Sequence, residues 1–141
     1  MKNNRVYIAS KVGPMEQSVQ GLRDELERRG YEIVYDWTTL PIMKPFADHV
    51  DQATEAAEAM ARAVMECDIL IVLFAESGIG FHIETGGALV ASIIQAFIGG
   101  PTKQKRIFVI GEGSDRSVFY FHKSVRRLPD IAAVLNELPA V

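Results

Sequence analysis

Hydrophobic and polar positions along this chain alternate between two rhythms. Ile69-Leu70-Ile71-Val72-Leu73-Phe74 is an unbroken apolar run set between Asp68 and Glu76-Ser77-Gly78. A run that short and β-branched predicts a strand buried on both faces, as in a parallel sheet. Val6-Tyr7-Ile8-Ala9, Tyr31-Glu32-Ile33-Val34-Tyr35 and Arg106-Ile107-Phe108-Val109-Ile110 are predicted strands too, and Val118-Phe119-Tyr120-Phe121 a short fifth. Between the first two, Met15, Val19, Leu22 and Leu26 recur at steps of 4, 3 and 4, which is one face of a helix. Gly30 is placed to end that helix as a left-handed cap. Leu40 to Pro45, with two prolines, reads as a loop. A long helix then carries Phe46, Val50, Ala53, Ala57, Met60, Ala61 and Val64 on one stripe. From Glu84 to Ile98 the chain is apolar and rich in small residues, predicting a buried helix stopped by Gly99-Gly100-Pro101. Pro129 opens a last helix through Leu138.

Strand and helix alternate throughout, which calls for a doubly wound α/β domain with helices on both faces of a parallel sheet. A flavodoxin-like strand order is expected, in a single domain spanning residues 1–141. Open sheets of this kind bind ligands at the carboxyl ends of their strands. The carboxyl ends of the first three strands would then bring Ser10, Asp36, Trp37 and the loop from Glu76 to Glu84 to one crevice, with Gly78 and Gly80 in that loop.

Composition narrows the partners. With 141 residues and a formal net charge of -3, nothing recommends a nucleic acid polymer or an anionic membrane surface. Cys67 is the single cysteine, so no intrachain disulfide or cysteine metal cluster can form. That fits a reducing cytoplasm. The first residues lack the pattern of a signal peptide, and no apolar run reaches the length of a membrane helix.

Glu84 is the most informative candidate. Near a helix N-terminus, the dipole and free N–H groups favour an ionised carboxylate, and such a group can attack an anomeric carbon. The plainer reading is a first-turn acid that caps its helix. Trp37 can stack on a planar base and Asp36 can bond a sugar hydroxyl or a base; the alternative is a turn Asp beside a core-edge Trp. His82 can help protonate a leaving group, or cap the helix. Asp68 falls at the opposite strand edge and reads as a junction residue. Asp48, His49 and Asp51 read as a solvated face, since adjacent helix positions diverge, so no metal site is expected. Gly78-x-Gly80 lacks the third glycine of a dinucleotide fingerprint, because position 83 is Ile.

Together, Val6-Tyr7-Ile8-Ala9, Tyr35-Asp36-Trp37-Thr38, Cys67-Asp68-Ile69-Leu70-Ile71-Val72-Leu73 and Gly80-Phe81-His82-Ile83-Glu84-Thr85-Gly86-Gly87-Ala88-Leu89 resemble the nucleoside 2-deoxyribosyltransferase family and the related deoxyribonucleoside monophosphate N-glycosidases. The last stretch resembles the family's Gly-Thr-x-x-Glu-Leu-Gly-x-Ala signature. The resemblance implies a flavodoxin-like fold, a small-molecule nucleoside or nucleotide substrate, no metal or organic cofactor, and subunits associated as dimers or larger. It implies that Glu84 attacks C1′ and holds a deoxyribosyl ester until a base or water takes the sugar. It also implies that Tyr7 orients the carboxylate and that Ser10, Asp36, Trp37, Gly78, Gly80 and His82 belong to the substrate pocket. Three positions depart from the pattern. Met60 stands where the family's active enzymes carry an Asp, Phe81 replaces the signature Thr, and Thr85 replaces the Leu. Met60 keeps a second reading open, a catalytically silent nucleotide-binding or sensing module on the same scaffold.

Overall fold

A computed structural model describes residues 3–11, 15–41, 43–98 and 104–141. In chain order the elements are β1 (Arg5–Ser10), α1 (Glu16–Arg28), β2 (Glu32–Ile33), α2 (Val50–Glu66), β3 (Ile69–Leu73), α3 (Gly80–Phe97), β4 (Arg106–Ile110), β5 (Val125–Leu128) and α4 (Ile131–Glu137). Short 3-10 turns cover Trp37–Thr39, Phe46–Asp48 and Val118–Phe121. The five strands form one parallel sheet in the order β2-β1-β3-β4-β5. This is the flavodoxin-like order. The chain steps outward from β1 to β2, then returns to place β3 on β1's other side. Beyond that reversal the loops after β1 and β3 diverge, and a crevice opens at their carboxyl ends.

The apolar run at β3 behaves as its pattern requires: all five residues are buried, with β1 in register on one side and β4 on the other. Gly30 follows α1 at φ +93°, and a Cβ there would lie 2.9 Å from the Val141 carbonyl oxygen. Only glycine adopts that conformation without cost. Asp68 sits at the amino edge of the sheet, where its carboxylate accepts the Arg5 N–H at 3.1 Å. It is a junction residue, far from the crevice.

Four expectations change. β2 is only Glu32–Ile33 rather than the whole run from Tyr31 to Tyr35, because its edge pairing reaches only Arg5 and Val6 of β1. The fifth strand is Val125–Leu128, not Val118–Phe121, which forms a 3-10 turn. Only Tyr120 of that turn is buried, and Phe121 instead lies under the Arg127 guanidinium, 4.0 Å from the ring centre. On α2 the inward positions are Ala56, Ala63 and Val64 with half-buried Met60, while Val50, Ala57 and Ala61 face out. Alanines score as apolar on either face, so they blurred the helix phase. α3 is not buried all round: Phe81, Thr85, Ala88, Leu89, Ala91 and Ser92 face inward, but Ile83, Val90, Ile94 and Phe97 are exposed. The glycine stop after α3 and the residues Val12-Gly13-Pro14 lie outside the described residues. Among the described residues no helix is long and apolar enough to cross a membrane.

Candidate active site

Glu84 and Tyr7 form the centre of the crevice. Side chains alternate along β1, which turns Tyr7 toward α3, where it is wholly buried. On α3, Phe81, Thr85 and Ala88 lie inward. Glu84 shares that side, three residues after Phe81 and four before Ala88. The Tyr7 hydroxyl donates to Glu84 Oε1 at 2.8 Å. Burial and the adjoining Glu84 carboxylate hold the Tyr7 phenol well above its ordinary range, so it remains a donor.

The electrostatics of Glu84 differ from the sequence expectation. α3 begins at Gly80, so Glu84 lies beyond the first turn, and that turn contains no acid. The helix dipole acts mainly within the first turn. Burial therefore dominates and pushes the carboxyl up to about 7, with the Tyr7 hydrogen bond pulling the other way. Glu84 is not a capping acid. It is a half-ionised carboxyl at neutral pH with one oxygen fixed by a phenol, poised for either nucleophilic or proton-transfer chemistry.

The walls come from the loops. At the end of β1, Ser10 is half-buried, and Lys11 Nζ donates to Ser77 Oγ at 2.5 Å. Gly78 has φ +129°, and a Cβ there would come within 3.1 Å of the Phe81 ring, so the turn into α3 requires glycine. Gly80 opens α3 with nothing within 4 Å of its Cβ position, leaving room above the helix end.

Asp36 caps the 3-10 turn that follows β2. It accepts Thr38 N–H at 3.0 Å, the Thr38 hydroxyl, and the Arg23 guanidinium. Burial works against its charge, yet these donors hold it below the usual carboxylate range. The Trp37 indole N–H donates to the Ile8 carbonyl at 2.8 Å, and the side chain is only 5% exposed. Both residues thus fix the turn against β1. Trp37 still contributes an edge to a cavity of about 120 Å³ shared with Glu16, Leu40, Lys44, Phe46 and Met60.

His82 is placed elsewhere. Two residues from Glu84 on a helix is more than half a turn, so His82 faces away from Tyr7. Its Nδ1 is 2.6 Å from the Tyr120 hydroxyl, and its ring stacks on Phe81 with centroids 4.2 Å apart. It borders a separate apolar cavity of about 520 Å³ between α3 and the Val118–Phe121 turn. Asp48 and Asp51 are exposed, His49 half-exposed, and no cluster of three or more metal-ligating side chains occurs among the described residues.

No protein-family model and no curated protein sequence matches the chain. Among solved structures, the CMP N-glycosidase of Clostridium botulinum superposes with a TM-score of 0.57 at 18% identity, over 95% of this chain and 96% of that one. The two chains share a fold. At that identity the likeness concerns backbone architecture, and it extends over nearly the whole of both chains.

Sequence reasoning missed three residues of this architecture. Arg23 sits on the polar side of α1, where nothing distinguishes it from a solvated arginine until Asp36 arrives from β2. Tyr120 was assigned to a strand that does not exist. Glu16, at the first position of α1, carries no signal in sequence and becomes conspicuous only as a wall of the cavity beside Trp37.

Proposed function

We propose that this domain, residues 1–141, cleaves the N-glycosidic bond of a nucleoside or nucleotide through Glu84. The observation that carries the reading is the buried Tyr7–Glu84 pair at the carboxyl edge of the sheet. Oε2 of ionised Glu84 attacks C1′ while Tyr7 holds Oε1. The C1′–N bond breaks, its electron pair leaves with the base, and a sugar ester forms on Glu84. Water then attacks C1′, gives up a proton, and returns the carboxylate; a second base at that step would make the reaction a transfer. A 2′-deoxy sugar suits the path, because an absent 2′-hydroxyl eases positive charge at C1′. The shared fold with a CMP N-glycosidase supports the class of chemistry. No metal or organic cofactor takes part in these steps.

Met60 favours one alternative. It puts a thioether where the resembled family carries an Asp, which fits a module that binds nucleotide without turnover. Incubation with a panel of deoxynucleosides and their monophosphates separates the two. Free base from wild type, absent in Glu84→Gln, supports the enzyme; saturable binding with no base after long incubation supports the module. A substrate fluorinated at C2′ should slow ester breakdown and leave one added sugar on Glu84 by mass. Base release unchanged in Glu84→Ala would remove Glu84 as nucleophile.

The reading includes a homodimer or larger assembly. Ile83, Val90, Ile94 and Phe97 on α3 and Phe119 beside it are each more than 45% exposed, a contiguous apolar face of the kind that marks an interface. It also places the protein in the cytoplasm, where Cys67 stays a buried neutral thiol with its pKa raised to about 11.

A further inference from the structure

We infer that Glu16 reads the departing base, and that the base is a 4-aminopyrimidine; the inference rests on the glycosidase reading above. The cavity beside Trp37 and the Glu84 carboxylate belong to one crevice. α2 and α3 both run from the carboxyl edge of the sheet toward its amino edge. They meet where a Cβ on Gly87 would lie 3.4 Å from Val64 Cγ1. One turn back on each helix, about 6 Å at 1.5 Å per residue, sets Met60 level with Ile83 and Glu84. Met60 is also a wall of the cavity, so the cavity opens at the depth of the carboxylate.

Its size restricts the occupant. The volume is about 120 Å³, and an apolar cavity of roughly 150 Å³ takes one benzene ring. A single six-membered ring fits; a fused purine does not. Trp37, Leu40, Phe46 and Met60 supply apolar walls for its faces.

Among the described lining residues only Glu16 and Lys44 are charged. The Glu16 carboxylate has no hydrogen-bond or ion-pair partner among the described residues. A carboxylate only accepts and an ammonium only donates. The matching ring offers an N–H to Glu16 and a carbonyl oxygen to Lys44. Cytosine does so with its 4-amino group and O2. Uracil would turn the lone pairs of O4 toward the carboxylate. Met60 leaves no other acid on α2 to make this contact.

The test uses Glu84→Gln as a non-cleaving binder and calorimetric titration with dCMP, dUMP and dAMP. The expected order is dCMP tightest, with dAMP at least tenfold weaker. Adding Glu16→Ala should weaken dCMP about tenfold, the scale of a hydrogen bond to a charged group. Adding Glu16→Gln, whose amide can donate to O4, should erase or invert the preference for dCMP over dUMP. In the cleaving protein, Glu16→Gln should raise KM for dCMP more than it lowers kcat. Equal affinity for dAMP, or an unchanged dCMP/dUMP ratio in Glu16→Gln, overturns the inference even if base is released. Absence of base release with this affinity pattern intact would instead overturn the glycosidase reading. Failure of all three nucleotides to bind would overturn both.

Discussion

Replacing Glu84 with glutamine should make the protein more stable in alkaline solution and leave it unchanged in acid. The folded carboxyl has its pKa raised from 4.5 to about 7, first because it is buried. The folded chain therefore binds this proton more tightly than the unfolded chain does. The associated stability is complete below about pH 4.5 and is lost as pH rises through about 7. At 1.36 kcal/mol per unit, ionising Glu84 above pH 8 costs about 3 kcal/mol. Glutamine has nearly the shape of the protonated acid, and its amide oxygen can still accept from Tyr7. It never ionises. For a chain of this size each kcal/mol moves the melting temperature by roughly 3 °C. Wild type and Glu84→Gln should thus melt together near pH 4 and separate by about 10 °C near pH 8. Melting curves by circular dichroism at half-unit intervals give the comparison, and other titrating groups cancel because both proteins carry them. A constant offset from pH 4 to pH 9, or a wild type that declines no faster than the variant, would refute the account of Glu84 as a destabilised, buried acid.

The same pair predicts an activity profile in which base release rises with pH through about 7, as the nucleophile ionises. Tyr7→Phe removes the interaction that lowers the Glu84 pKa, so that limb should move to higher pH and kcat should fall about tenfold or more; an unmoved limb would deny Tyr7 its part. Gly78→Ala should destabilise by about 1–3 kcal/mol in denaturant titration, since φ +129° and the Phe81 ring both oppose a Cβ. Phe97→Glu, on a side chain 85% exposed, should split the assembly without unfolding the subunit. A wild type that already sediments at the 15.6 kDa of one chain would dismiss that interface.

The sequence by itself determined the buried strands and their order of appearance. β3 is apolar at every position because both of its faces are covered, and such a run has few other solutions. It also singled out Glu84, because a lone carboxylate ahead of an apolar helix is conspicuous. Its charge state was decided elsewhere. Starting α3 at Gly80 rather than Glu84 moved the acid past the reach of the helix dipole and set it against Tyr7. That contact spans 77 positions, and only the sheet order could create it. Tertiary structure likewise separated His82 from Glu84, since two adjacent candidates on a helix point to different neighbours. It tied Trp37 to the Ile8 carbonyl and Asp36 to Arg23, bonds that no local pattern encodes. The last strand was misplaced because Arg126 and Arg127 conceal an edge strand that buries little, while Phe119 and Phe121 mimic one. Local periodicity fixes which residues can be buried together; which long-range partner each finds, and hence what a carboxylate can do, depends on how the sheet is assembled.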